Sequence, residues 1–157
     1  MQRGITLIEL LLVISVVGIL AAAIDYSFEG WVERYEVEKI TRELCHDLIY
    51  ARTMAMQKDV KYLTALGNYQ YLVAEDRNEN DDIDSGEVLQ GFPKTVKYRL
   101  EWNNAGSFKV FCSPRGLMSP NRTISVISRS DADFDCMKIS RTRIIAGKYD
   151  HGECVAR

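Results

Sequence analysis

The sequence predicts an α+β protein in which one long N-terminal helix packs on antiparallel β-sheets. Three observations carry that expectation. Residues Ile5 to Ile24 form a nearly unbroken apolar run, no proline occurs before Pro93, and after Asp59 short alternating segments follow one another between turn residues. At 157 residues the chain has room for one domain and an appendage.

The apolar run reads ITLIELLLVISVVGILAAAI. Twenty residues at 1.5 Å each make about 30 Å of helix, the thickness of a bilayer's hydrocarbon core. Thr6, Glu9 and Ser15 are its polar members, and Glu9 alone is ionisable. Arg3 before the run and Asp25 after it orient the N-terminus to the cytoplasm and the remainder across the membrane. Ala21-Ala22-Ala23 imitates the cleavage site of a secretory signal peptide, and a plain anchor is the other competing reading. Neither accounts for Glu9, because an intramembrane carboxylate costs a few kcal/mol unless it has a partner.

From Tyr26 to Lys58 apolar residues fall at Phe28, Trp31, Val32 and Tyr35, then Val37, Ile40, Leu44, Leu48, Ala51 and Ala55. Steps of three and four predict one buried helical face. The continuous helix would measure about 80 Å, too long to be enclosed in a domain of this size, so its first half must project. Cys45 is followed by His46, which has no metal-spaced partner and reads as a helix-surface histidine.

The remainder, 59–157, reads as a β-rich head. Candidate strands are Val60–Leu66 and Tyr69–Glu75 around the Gly67-Asn68 turn, then Val88–Phe92, Val96–Trp102, Ser107–Cys112, Thr123–Ser128 and Cys136–Ala146.

Composition removes several function classes. Twenty basic and 22 acidic residues leave a net charge of −2, which argues against coating nucleic acid by bulk charge. Two histidines and no C-x-x-C pair argue against zinc chemistry. No nucleophile elbow, phosphate loop or catalytic triad is evident, so the chain reads as a non-enzyme that requires no cofactor.

Two constellations stand out in the head. In DRNENDDIDSGE, Asp76, Asn78, Asn80, Asp82, Asp84 and Glu87 take places 1, 3, 5, 7, 9 and 12 of an EF-hand-like loop, which makes Ca²⁺ a candidate ligand. Against it, Asp81 stands where glycine is usual and strands flank the loop, so a solvated acidic hairpin is the competing reading. Cys45, Cys112, Cys136 and Cys154 allow three complete pairings. Two bridges are expected outside the cytoplasm, with Cys112–Cys136 and Cys45–Cys154 preferred.

Arg3-Gly4-Ile5-Thr6-Leu7-Ile8-Glu9-Leu10 resembles the type III signal of type IV pilins and type II secretion pseudopilins. The resemblance implies a leader, 1–4, cut after Gly4 by a prepilin peptidase. It implies N-methylation of Ile5 and a role in assembly for Glu9. The next segments become an assembly helix, 5–25, and an amphipathic continuation into the head, 26–58. Gly18 falls where many members have glycine, whereas Ile24-Asp25-Tyr26 lacks the kinking proline that many carry.

Leu44, Leu48, Ala51-Arg52 and Ala55, with the turn Phe111-Cys112-Ser113-Pro114-Arg115-Gly116, resemble the GspH/FimT branch of minor pilins and pseudopilins. The acidic loop also resembles a hairpin loop common there. Ser140-Arg141-Thr142-Arg143 resembles, with Ser140 replacing glycine, the motif by which some such pilins bind DNA. Arg141 and Arg143 are then DNA-binding candidates on one strand face, with ordinary strand-face charge as the competing reading.

The resemblance implies a pilin-like fold and a subunit of a type IV pilus or type II secretion pseudopilus. Its implied partners are prepilin peptidase, other pilins or pseudopilins through the N-terminal helix, the inner-membrane assembly platform and, in the alternative reading, DNA. The implied location is the bacterial inner membrane with a periplasmic head, and afterwards the filament.

Overall fold

The structure, a computed structural model, describes residues 6–84, 86–103 and 109–157, with the backbone alone at 23–27. Helix α1 runs from Leu7 to Lys58, 52 residues without a break. Thr6 caps its start, accepting from the Glu9 backbone N–H through its side chain at 3.4 Å. Asp59, with φ 56°, ends it in the left-handed region.

Among the described residues ten strands follow: β1 Lys61–Leu66, β2 Gln70–Asp76, β3 Lys94–Thr95, β4 Arg99–Trp102, β5 Lys109–Cys112, β6 Met118–Ser119, β7 Arg122–Ile127, β8 Cys136–Ile139, β9 Ile144–Asp150 and β10 Glu153–Ala156. They form two antiparallel sheets, ordered β3-β2-β1-β5-β6 and β10-β9-β8-β7-β4. The second half of α1 lies against β1 and β5 of one sheet and β7, β8 and β9 of the other.

Val37, Leu44, Leu48, Ala51 and Ala55 are fully buried on α1, as the three-and-four spacing requires. The buried Thr41 completes the stripe, and its hydroxyl donates to the Val37 carbonyl at 3.0 Å. Tyr62, Val73, Val110, Ile124 and Met137 face this stripe from the sheets. Phe28, Trp31 and Tyr35 depart from the expectation of one face. They are 57%, 59% and 59% exposed, because at 100° per residue they lie opposite Val37 and Leu44.

The strands depart from expectation in three places. Val88–Phe92 makes a single bridge, Ala74 to Val88, and then turns. Gly91 there has φ 89°, and Leu89 and Phe92 pack inward on the core. The segment 94–102 serves both sheets, so Val96 and Tyr98 lie in the crossing between β3 and β4. Cys136–Ala146 is a hairpin rather than one strand, closed by the Ser140 N–H donating to the Arg143 carbonyl at 2.7 Å.

Candidate functional site

The first half of α1 has no head to cover it. Leu7 and Ile8 are 76% and 74% exposed, and every described side chain from Leu7 to Ala22 is exposed. An apolar rod of this kind marks a surface that something else must cover. Among the described residues no helix is long and apolar enough to cross a membrane. The expected span, Ile5 to Ile24, reaches beyond the described side chains at both ends. Gly4 and Ile5, the processing candidates, lie outside the described residues.

Glu9 is described, and it sits in the first turn of α1, where a negative charge complements the helix dipole. Its backbone N–H is satisfied by Thr6, whose carbonyl accepts at 3.1 Å. Its carboxylate has no partner among the described residues. The rod therefore presents one uncompensated charge on an apolar surface.

The cysteines are paired otherwise than expected. One disulfide joins Cys136 and Cys154, with Cα atoms 5.8 Å apart, while Cys45 and Cys112 are free. Strand alternation gives the reason. Met137 and Ile139 face the core, so their neighbour Cys136 points to the outer face of its sheet, away from Cys112. Cys112 lies under α1, and burial pushes its thiol up to about 12. Cys154 reaches Cys136 because β10 closes over β9 at Gly147. A Cβ there would lie 1.9 Å from the Val155 carbonyl oxygen.

The acidic loop is knit by its own backbone and by lysines. Asp76 is fully buried and accepts from the N–H groups of Asn80 (3.2 Å) and Asp81 (3.4 Å). Asp81 takes the left-handed backbone, φ 61°, so the glycine usual at that place is not needed to make the turn. The loop's carboxylates, however, do not converge. Lys109 donates to Asp82 at 2.6 Å, Lys61 to Asp81, and Asn78 and Asn80 to Asp84 at 2.8 and 3.2 Å. Glu87 accepts from the Arg77 N–H at 3.0 Å. Among the described residues no three or more His, Cys, Asp or Glu side chains gather to hold a metal ion.

Arg141 and Arg143 are exposed in the turn between β8 and β9, not on a strand face as expected. The turn is fixed to the end of α1 by Arg52, which donates to the Thr142 carbonyl at 2.8 Å. The β5–β6 turn packs on the same helical end. Gly116 there, at φ 71°, would place a Cβ 2.5 Å from Met56 Sδ. This brings the exposed Arg115 to the same end of the head, and none of the three arginines has a carboxylate partner among the described residues.

Comparison with known proteins adds two findings. Residues 1–24 match the family model described as the prokaryotic N-terminal methylation motif. The fold matches the crystal structure of the Pseudomonas aeruginosa type IV minor pilin FimU, with a TM-score of 0.54 and 18% identity, over 75% of this chain and 92% of that one. The chain thus joins this N-terminal motif to a fold like that of a type IV minor pilin. No curated protein matches it.

Sequence reasoning missed the polar ties that hold this pilin-like head to its helix. Asp47, buried on α1, accepts from Tyr71 Oη at 2.7 Å and from Lys94 Nζ at 2.6 Å. Burial and the Asp47 carboxylate both push the Tyr71 hydroxyl upward, which keeps it a donor. Glu36 accepts from Lys97 at 2.5 Å, which holds its carboxyl below the usual range, and Arg34 donates to Asp133 at 2.6 Å. One signal was legible: Asp47 is a carboxylate directly beside Leu48 of the buried stripe.

Proposed function

We propose that this chain is a structural subunit, a minor pilin or pseudopilin, of a type IV pilus or type II secretion pseudopilus. It inserts in the bacterial inner membrane with the head in the periplasm. A prepilin peptidase then cuts after Gly4, and N-methylated Ile5 becomes the first residue. The observation that carries this reading is the bare apolar rod, continuous with the helix that anchors the head and bearing one carboxylate without a partner among the described residues.

The mechanism is selection by charge and packing. Ile5 and Glu9 are four residues apart in the sequence, so an axial stagger between parallel helices brings the Glu9 of one subunit to the freed amine of another. In an apolar bundle an unpaired charge is far costlier than a paired one, so the pair sets register rather than adding large net stability. Burial of the apolar rod among other pilin helices supplies the association energy. Glu9→Val should insert normally and be lost from sheared filaments. Incorporation at the wild-type level would refute the pairing role.

A second reading has its own observation: Arg115, Arg141 and Arg143 stand exposed at one end of the head, without carboxylate partners among the described residues. Such a cluster suits phosphate contacts to DNA taken up by a pilus. The reading requires salt-dependent DNA binding that disappears in R141A/R143A. Equal binding by that variant and the wild type would dismiss it.

A further inference from the structure

Phe28, Trp31 and Tyr35 form a continuous aromatic stripe on α1, each ring more than half exposed. Ring centroids are 5.9 Å apart for Phe28 and Trp31 and 6.0 Å for Trp31 and Tyr35, the latter pair stacked. Trp31 and Tyr35 lie on the side of the helix opposite Val37 and Leu44, which enter the head's core, while Phe28 borders a shallow hollow shared with Lys97 and Tyr98. Three large rings on a solvent-facing helix side are not explained by the fold of the head.

The spacing of charges along α1 says where the stripe lies when the chain is anchored. Between Glu9 and Asp25 only Leu10 to Ile24 are free of charge. These fifteen residues make about 22 Å of helix, and the whole run from Ile5 to Ile24 about 30 Å, so by either measure the apolar span ends at Asp25 on the head side. Phe28 and Trp31 lie about 5 and 9 Å beyond Asp25 along the axis, at headgroup level. Tyr35, about 15 Å beyond, stays on the water side. Aromatic rings, tryptophan above all, favour that amphipathic layer.

We propose that, before assembly, Phe28 and Trp31 seat the chain in the lipid headgroup layer on the head side of the membrane, so that the partner of the stripe is the lipid surface. The proposal rests on the membrane-anchored reading given above. It gives the anchor a defined depth on the head side of the membrane.

The test uses the full-length chain in phosphatidylcholine vesicles, with one lipid brominated either near the carbonyl end of its acyl chains or near their terminus. The molecule has two tryptophans, Trp31 and Trp102, so W102F leaves Trp31 as reporter. Subtracting the W31F signal from wild type gives the same quantity should W102F fold poorly. Expected is an about two-fold loss of Trp31 emission with the shallow bromines and a smaller loss with the deep ones. Vesicle flotation with Trp31 quenched by aqueous iodide and not by bromine would overturn the proposal and leave anchoring intact. Deeper quenching by the terminal bromines would place the ring in hydrocarbon and overturn it too. A chain that does not float with vesicles would overturn the anchored reading along with it.

Discussion

Cys136 and Cys154 are joined across β9, the strand that separates their own strands in the sheet. The C-terminal hairpin is thereby closed over the outer face of β7 and β8, where Thr123 and Ser125 are buried under it. Thiol counting checks this. Unfolded, unreduced protein should show two reactive thiols, from Cys45 and Cys112, and reduced protein four. Cys154→Ser should lower head stability by about 2–4 kcal/mol in a denaturant melt. Reductant should then have no further effect on that variant.

Gly147→Ala tests the close approach that makes the clasp fit. The added methyl meets the Val155 carbonyl at 1.9 Å, and backbone on both sides must shift. A loss of about 1–3 kcal/mol is expected, with slower or incomplete disulfide formation. An unchanged melting curve would show that β10 does not lie where it is described.

The stability of the head should fall in acid. Lys97 holds the Glu36 carboxyl low, and Lys109 and Lys148 do the same for Asp82 and Asp131. For Glu75 burial works upward, but hydrogen bonds from Lys58 and Arg77 outweigh it and the net direction is downward. Groups lowered in the folded state stabilise it above their ordinary values of 4.5 and 3.8, and that contribution is lost as pH falls through the folded values. Asp135, raised by burial, works in the opposite direction. The midpoint temperature should therefore drop between about pH 5 and about pH 3, and less steeply in Glu75→Gln. A flat profile would contradict the ion-pair geometry.

For the acidic loop the structure sets a clear expectation. Calcium would have to draw Asp82 from Lys109 and Asp84 from Asn78 and Asn80. Adding about 5 mM CaCl₂ in place of chelator should move the melting temperature by no more than about 1 °C. A rise of several degrees that disappears in Asp84→Ala would establish a calcium site formed by rearrangement.

The long helix and its buried stripe were legible because 3.6-residue periodicity and the absence of proline are local properties. The step of two between Tyr35 and Val37 already marks the change from the exposed aromatic side to the core side. Strands β1, β2 and β7 were legible for the same kind of reason, being alternating runs between turns. What could not be read locally is which sheet a strand joins. Lys94–Thr95 and Arg99–Trp102 belong to different sheets although three residues separate them.

The disulfide was misread because it depends on which face of β8 points inward, a tertiary fact. Its hairpin did leave a signal in Asp150-His151-Gly152, where His151 and Gly152 take φ 46° and 88° as a tight turn requires. Glu9 stands out in the sequence through the cost of a carboxylate in an apolar run, and its role in assembly is the proposal made above. The aromatic stripe was not legible, because its rings were counted with the core.

Intact-mass analysis of the chain recovered from assembled filaments tests the central claim most directly. The account predicts a chain whose first residue is Ile5, carrying one added methyl group. A chain still carrying Met1, or one starting beyond Ala23, would contradict it.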